Sequence, residues 1–145
     1  MSRTRVDVRV VVTIGFAAAA NGDGVAYAAV RGPAGSEAAL VRVAFRCRPA
    51  PALLGRDVAY AALAAVACDV RRRGLPAVEF RLDDAELCAD LAERRTVPAP
   101  LVVPYVAVRC ALNRFASARV VRSAERSVRD LTARARADVC LNVAA

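Results

Sequence analysis

The sequence predicts an α/β fold built on a mixed sheet of five strands with helices covering its faces. Three extended segments come first, separated by turn residues, which is typical of antiparallel neighbours. Helical and extended segments then alternate to the end of the chain, as they do where helices connect parallel strands. The predicted order is β-β-β-α-β-α-α-β-α, and we expect a single domain spanning residues 1–145.

The first half of the chain carries the three antiparallel strands. Val6 to Phe16 alternates at first and then becomes a continuous β-branched run, which is typical of a strand entering the centre of a sheet. The turn residues Asn21 to Gly24 lead into a second strand, Val25 to Arg31. A second turn, GPAGS, leads into Glu37 to Arg48, where side chains of opposite character alternate. These segments predict a three-stranded meander.

The rest of the chain carries four predicted helices and two strands. Gly55 to Arg73 has apolar residues at helical spacing, and Gly74 follows where that helix should end. Pro98 to Pro100 is typical of a linker, and Pro104 is tolerated in the first turn of the next helix. The other predicted elements are strands at Val78 to Leu82 and Ala118 to Arg122, and helices at Ala85 to Arg94, Leu101 to Phe115 and from Arg126 to Ala137 or beyond.

The composition is strongly basic. All 22 basic residues are Arg, against 14 acidic residues, so the formal net charge is +8. A positive field attracts phosphate-rich partners at low salt, and nucleic acid is the first such partner to consider. The alternative is that Arg has replaced Lys throughout an ordinary solvated surface, where charge serves solubility.

The cysteines are odd in number and widely spaced, without a CxxC pair, so they suggest neither a zinc site nor a disulfide framework. Their apolar neighbours predict buried thiols and a reducing, intracellular setting. No stretch approaches the roughly 18 unbroken apolar residues of a membrane span, and the N-terminus lacks a secretory signal pattern. We therefore expect a soluble cytoplasmic protein. The five are Cys47, Cys68, Cys88, Cys110 and Cys140.

Two adjacent carboxylates follow a predicted strand in the stretch VEFRLDDAELCADL. Asp83 and Asp84 lie where this strand ends and the next helix begins. An acidic pair at the end of a strand is a candidate metal site, because carboxylate oxygens bind hard divalent ions. Asp is also a favoured N-cap residue, so Asp84 could simply begin the helix. The stretch alone leaves both interpretations open.

Five segments match, in order and spacing, the segments of one known family. They are NGDGVAYAAV, VAYAAL, VEFRLDDAELCADL, PYVAVRCALNRFASARVV and VRSAERSVRD. The first is similar to a glycine-rich hairpin, the second to a helix pattern Ala-Glu-Tyr-x-Ala-Leu, and the last to Val-Pro-Arg-x-x-Asn-x-x-Ala-Asp. The family is type 1 ribonuclease H, and the chain resembles it over nearly its whole length. The resemblance implies the ribonuclease H fold.

The resemblance also implies a nuclease site of four carboxylates. In the family these hold two divalent ions, usually Mg²⁺, that promote cleavage of the RNA strand in an RNA/DNA hybrid. The family positions fall on Gly15, Ala59, Asp83 and Asp130, so two of the four carboxylates are missing here. We expect metal binding at Asp83 and Asp130 to be weak or absent, and Mg²⁺ or Mn²⁺ to be needed only if the chain is active.

Nearby acids are poor replacements for the missing ligands. Asp57 precedes Ala59 by two positions, a spacing that does not share a helix face, and Asp23 is better explained as a turn former. The chain contains no His, which excludes a His-assisted proton transfer.

Three functional hypotheses follow. The first is a degenerate ribonuclease H-like pseudoenzyme that binds RNA/DNA hybrid or structured RNA through arginines, without efficient cleavage. The second is an active metal-dependent endoribonuclease with a rebuilt site, and the third is a protein-interaction module that kept only the fold. The candidate nucleic-acid contacts are Arg71, Arg72, Arg73, Arg94, Arg95, Arg122, Arg126 and Arg129.

Overall fold

Five strands form one mixed sheet flanked by four helices in the computed structural model, which describes residues 9–32, 38–48 and 50–143. The strands are β1 (Val10–Ala18), β2 (Asp23–Arg31), β3 (Ala39–Arg46), β4 (Ala77–Leu82) and β5 (Ser117–Arg122). The helices are α1 (Arg56–Arg72), α2 (Ala85–Glu93), α3 (Val102–Asn113) and α4 (Arg126–Val143).

The sheet has the strand order β3-β2-β1-β4-β5. Strands β1, β2 and β3 are antiparallel neighbours, whereas β4 runs parallel to β1 and β5 runs parallel to β4. Val12 in the central strand lies between Val30 of β2 and Phe80 of β4. Because β1 and β4 run in the same direction, their C-terminal ends lie at the same edge of the sheet, where α1 begins.

The predicted order of elements is confirmed, and so is the mixed five-stranded sheet. The predicted bounds of α1, β4, α2 and β5 differ from the observed ones by a single residue at most. The predicted linker before α3 instead contains a 3-10 turn, Ala99–Leu101, whose Leu101 is buried in the core. The start of the first predicted strand at Val6, most of the GPAGS turn, and Glu37 lie outside the described residues.

The main hydrophobic core lies between the sheet and α1. Val12 and Phe80 are fully buried on this face, together with Leu63 and Val66 of α1. Burying a side chain of this size contributes about 1.5–3 kcal/mol to folding, so this layer is the main source of stability. Helix α3 packs beside α1 and contributes Val108 to the same core.

Helix α4 covers the opposite face of the sheet over β1 and β2. Its Ala135 is buried against Val25 and Tyr27 of β2, and Leu131 packs beside them. The absence of a side chain at Gly15 of β1 lets the backbone of α4 approach the sheet closely. The closest approach is at Gly15 of β1, and it determines what position 15 can hold.

The helix ends follow the sequence signals. Gly74 ends α1 with a left-handed φ of 76°, and its N–H donates to the carbonyl of Arg71 at 2.9 Å. Asp84 caps α2, because the N–H of Leu87 donates to its Oδ1 at 2.9 Å. Pro104 lies in the first turn of α3 as predicted. None of the helices in the described part of the chain is both long and apolar enough to cross a membrane.

Candidate functional site

The ends of β1 and β4, the start of α1 and one side of α4 surround a cavity of about 250 Å³. This cavity lies at the edge of the sheet where the family resemblance places a metal site. Two carboxylates and one guanidinium contribute to its lining. The lining residues are Ile14, Phe16, Leu54, Gly55, Asp83, Asp84, Thr132 and Arg136.

Gly15, the first family position, lies directly beneath the backbone of α4. A Cβ added to Gly15 would stand 2.6 Å from the Cβ of Leu131, and closer still to the carbonyl carbon of Leu131 and the backbone nitrogen of Thr132. Backbone atoms cannot rotate away as a side chain can, so relief requires the helix to move. In this structure there is no room at position 15 for any side chain.

Ala59, the second family position, is completely buried in the main core. It lies in the first half of α1, beside the equally buried Tyr60. A Glu at position 59 would place a carboxylate among apolar side chains, and burying an unpaired charge is strongly unfavourable. The surroundings of position 59 are therefore those of a packed core.

Asp83 and Asp84 retain carboxylates at the cavity, and each already has a partner. Asp83 follows β4, is half-exposed, and accepts a hydrogen bond from Nε of Arg122 at 3.3 Å. Asp84 accepts the N–H of Leu87, which confirms the N-cap interpretation of this residue. Burial raises the pKa of Asp84, although the hydrogen bond from Leu87 opposes the shift.

Asp130, the last family position, points to solvent and lies outside the set of described residues that line the cavity. Its side chain is 71% exposed and faces Arg126, one turn earlier in α4, at 3.9 Å. No group of three or more His, Cys, Asp or Glu side chains in the described part of the chain is arranged to hold a metal ion. The donors at the cavity, Asp83 and Asp84, thus do not fit the four-carboxylate, two-ion arrangement of the family.

The two nearby acids have structural roles. Asp57 is buried and accepts the backbone N–H of Ala50 at 2.9 Å, which fixes the chain before α1. Asp23 begins β2 directly after the β1–β2 turn, where its N–H donates to Oδ1 of Asn21 at 3.0 Å, and its carboxylate pairs with Arg46. The turn-former explanation of Asp23 agrees with these contacts.

The cavity also includes residues that the sequence did not single out. Arg136 and Thr132 lie four positions apart on α4, so they share the helix face that looks toward the cavity. Leu54 lies on the rim with its side chain 93% exposed and a left-handed φ of 52°. The helical spacing of Thr132 and Arg136 was visible in the sequence, but nothing in it indicated which face of α4 would meet β1.

The eight candidate arginines fall into two groups. Four are exposed and form no ion pair or hydrogen bond with any residue that the structure describes, namely Arg71, Arg72, Arg94 and Arg129. The other four have carboxylate partners: Arg73 with Asp69, Arg95 with Asp90, Glu86 and Glu93, Arg122 with Asp83, and Arg126 with Asp130. The pairs of Arg122 and Arg126 are long and exposed, so these two side chains can exchange partners at little cost.

Beyond the area covered by α4, β4 and β5 carry a further charged cluster. Glu79 is buried on β4 and pairs with Arg81 at 2.7 Å and with Arg119 of β5. Burial opposes ionisation of Glu79, but hydrogen bonds from Arg81 and Arg119 outweigh it and lower the pKa of this carboxyl. Arg119 is thereby partly neutralised.

Asp90 of α2 is the centre of a buried polar network. Its side chain accepts hydrogen bonds from the hydroxyl of Tyr60 at 2.8 Å, from Arg56 at 3.1 Å and from Arg95 at 2.8 Å. Burial and the hydrogen bond to Asp90 raise the pKa of Tyr60, which stays a protonated donor. The network ties the start of α1 to α2 and so holds one wall of the cavity.

The prediction that all five thiols are buried is wrong. Cys68, Cys110 and Cys140 are exposed, whereas Cys47 and Cys88 are partly buried. Cys68 and Cys110 lie on the solvent side of their helices although Ala67 and Ala111 beside them are buried, so apolar sequence context did not imply burial. All five thiols are free.

We expect Cys88 to be the slowest of the helix thiols to react with iodoacetamide at pH 8. Burial raises the pKa of Cys88 to about 11, so only about one molecule in a thousand carries the reactive thiolate at that pH. Peptide mapping after timed alkylation measures this. Cys140 is the internal reference, and all five should react alike in denaturant; labelling of Cys88 as fast as Cys140 in the folded protein would contradict the assignment.

Comparisons with known proteins support the fold. No protein-family model matches the chain, and no curated protein matches it either. The chain is similar in structure to the N-terminal RNase H domain of Rv2228c from Mycobacterium tuberculosis, solved as a fusion with maltose-binding protein. The TM-score is 0.69 at 19% identity, covering 94% of this chain and 99% of that one.

Two further solved structures are similar to the chain over most of its length. RNase H1 from the halophilic archaeon Halobacterium salinarum has a TM-score of 0.69 at 18% identity, covering 90% of this chain and 98% of that one. LC11-RNase H1, solved in complex with an RNA/DNA hybrid, has a TM-score of 0.65 at 12% identity, covering 91% of this chain and 99% of that one. The chain has the ribonuclease H fold, and the fold prediction from the sequence is confirmed.

Proposed function

We propose that the protein binds nucleic acid, either RNA/DNA hybrid or structured RNA, without cleaving it efficiently. The observation that carries this proposal is the packing at the first two family positions. Gly15 lies against the backbone of α4, and Ala59 is sealed in the core. Neither position has room for a metal-binding carboxylate, whereas the chain has the fold and an excess of positive charge.

The binding side of the proposal rests on exposed guanidinium groups. Arg129, on the solvent face of α4, has no partner among the described residues, and Arg126 nearby has one long, exposed ion pair. Such groups can contact phosphate without losing a strong interaction, and phosphate contacts give affinity without sequence preference. Arg73 and Arg95, with shorter ion pairs, are weaker candidates than the sequence suggested.

Salt dependence of binding tests this proposal. The logarithm of the binding constant for a labelled hybrid should fall linearly with the logarithm of salt concentration. The double variant Arg126→Gln with Arg129→Gln should bind more weakly and reduce the slope by about 2, since each lost phosphate contact removes about one counterion. Arg31→Gln with Arg48→Gln is the matched control, because both residues are exposed and the charge change is equal.

Other outcomes identify the competing functions. Absence of binding to hybrid and to structured RNA at low salt, together with a stable protein complex, would favour the interaction module. Cleavage of a labelled hybrid with Mg²⁺ or Mn²⁺, abolished by Asp83→Asn, would instead establish the rebuilt nuclease. We expect no cleavage with either metal at high protein concentration.

A further inference from the structure

The C-terminal ends of α1 and α3 enclose a second small cavity, of about 110 Å³. Its lining combines three guanidinium groups with one thiol and two small apolar side chains. The α1 residues that line it, from Ala67 to Arg72, lie well after Gly55 at the first cavity, so the two cavities are about 20 Å apart along the helix axis. The lining residues are Ala67, Cys68, Arg71, Arg72, Ala111 and Arg114.

The three arginines bring positive charge together without compensation. Arg71, Arg72 and Arg114 are exposed, and none forms an ion pair or hydrogen bond with a residue in the described ranges. A carboxylate is available close by, but Asp69 pairs with Arg73 at 3.0 Å instead. Nine other described arginines of this chain pair with a carboxylate, whereas these three lie together at one cavity without one.

Helix dipoles explain part of this charge, since basic residues are favourable near helix C-termini. Several of the last carbonyls, however, already have backbone donors. The N–H of Arg73 donates to Val70 at 3.1 Å and that of Gly74 to Arg71 at 2.9 Å, which completes the end of α1. At α3, the N–H of Phe115 donates to Leu112 at 3.2 Å. The arginine side chains are therefore not needed as caps, and their donors remain available.

We infer that this cavity is a binding site for one phosphate group, held by Arg71, Arg72 and Arg114. Its volume equals that of about three to four water molecules in the liquid, enough for a tetrahedral oxyanion but not for an enclosed sugar or base. Guanidinium groups present paired N–H donors that match phosphate oxygens, which makes Arg well suited to this contact. The phosphate belongs either to a free anion or to a nucleic-acid backbone.

Cys68 provides the measurement, because its exposed thiol lines the same cavity. We expect inorganic phosphate at pH 7.5 to slow the alkylation of Cys68 several-fold relative to potassium chloride at the same ionic strength. Alkylation of Cys140, exposed on α4, should be unchanged in the same sample. The variant Arg71→Gln with Arg114→Gln should lose the protection, whereas Arg31→Gln with Arg48→Gln should keep it.

A second arm uses an RNA/DNA hybrid without terminal phosphates and identifies the source of the phosphate. Protection by inorganic phosphate alone assigns a free anion, and protection by hybrid as well assigns a backbone contact, which then rests on the proposed function. If the hybrid does not bind the protein at all, the proposed function fails but the test with inorganic phosphate still stands. The phosphate site and the proposed function can therefore fail separately. Protection by neither ligand, equal protection of Cys140, or protection that survives in the Arg71 and Arg114 variant would overturn the inference. Circular dichroism melts confirm that each variant is folded.

Discussion

Gly15→Ala should destabilise the protein by about 3 kcal/mol or more, although it adds a single methyl group. The new Cβ would overlap Leu131 and the backbone of Thr132, so α4 would have to lift from β1. Lifting α4 also loosens the layer that buries Ala135 against Val25. Urea denaturation measures the loss as a lower midpoint at an unchanged slope.

The matched control for this variant is Gly74→Ala. Gly74 has a left-handed φ of 76°, and an added Cβ would meet no atom within 4 Å. The Gly74→Ala variant should lose only about 1 kcal/mol of unfolding free energy, because backbone strain is its only cost. Equal losses in the two variants would mean that α4 yields easily at Gly15, and the argument that position 15 is closed would then fail.

Asp90→Ala should lower the free energy of unfolding by about 3 kcal/mol, which is the second large effect that the structure predicts. The Asp90 side chain is only 2% exposed, and its removal leaves the fully buried hydroxyl of Tyr60 without its acceptor. The largely buried Arg56 would keep only its longer ion pair with the exposed Glu86, at 3.5 Å. The loss of compensation for a buried charge, more than the loss of one ion pair, sets this magnitude.

Asp130→Ala is the appropriate comparison, because it removes one carboxylate from an exposed pair with Arg126. Asp130→Ala should change the free energy of unfolding by no more than about 0.5 kcal/mol, as is usual for surface ion pairs. A loss at Asp90 as small as that at Asp130 would show that water replaces the missing acceptor. The network would then have no structural role in holding α1 to α2.

The sequence predicted the architecture well because that information is local. Alternating side chains define β3, the glycine at position 74 ends α1, and Asp84 caps α2 through a contact three residues away. Each of these features depends on neighbours along the chain, so periodicity and turn residues are sufficient to find it.

The site was predicted less completely, because its contacts join distant segments. Asp90 meets Tyr60 across 30 positions, and Arg136 reaches a cavity that Asp83, more than 50 positions earlier, also lines. The Gly15 position was identified from the family resemblance, but the closeness of α4 depends on the depth at which that helix packs. The prediction of buried cysteines failed for a related reason, since neighbours along a helix point in different directions and Cys68 is exposed although Ala67 beside it is buried.

The contact between Gly15 and α4 also constrains which mutational routes are open to this chain. A carboxylate at position 15 and the present location of α4 exclude each other, and a Glu at position 59 would enter the apolar core. A single substitution that adds a carboxylate at either position should therefore carry a large cost in folding free energy. Residues beneath α4 and around α1 would have to change first, so directed evolution toward metal-dependent cleavage should begin with helix repositioning.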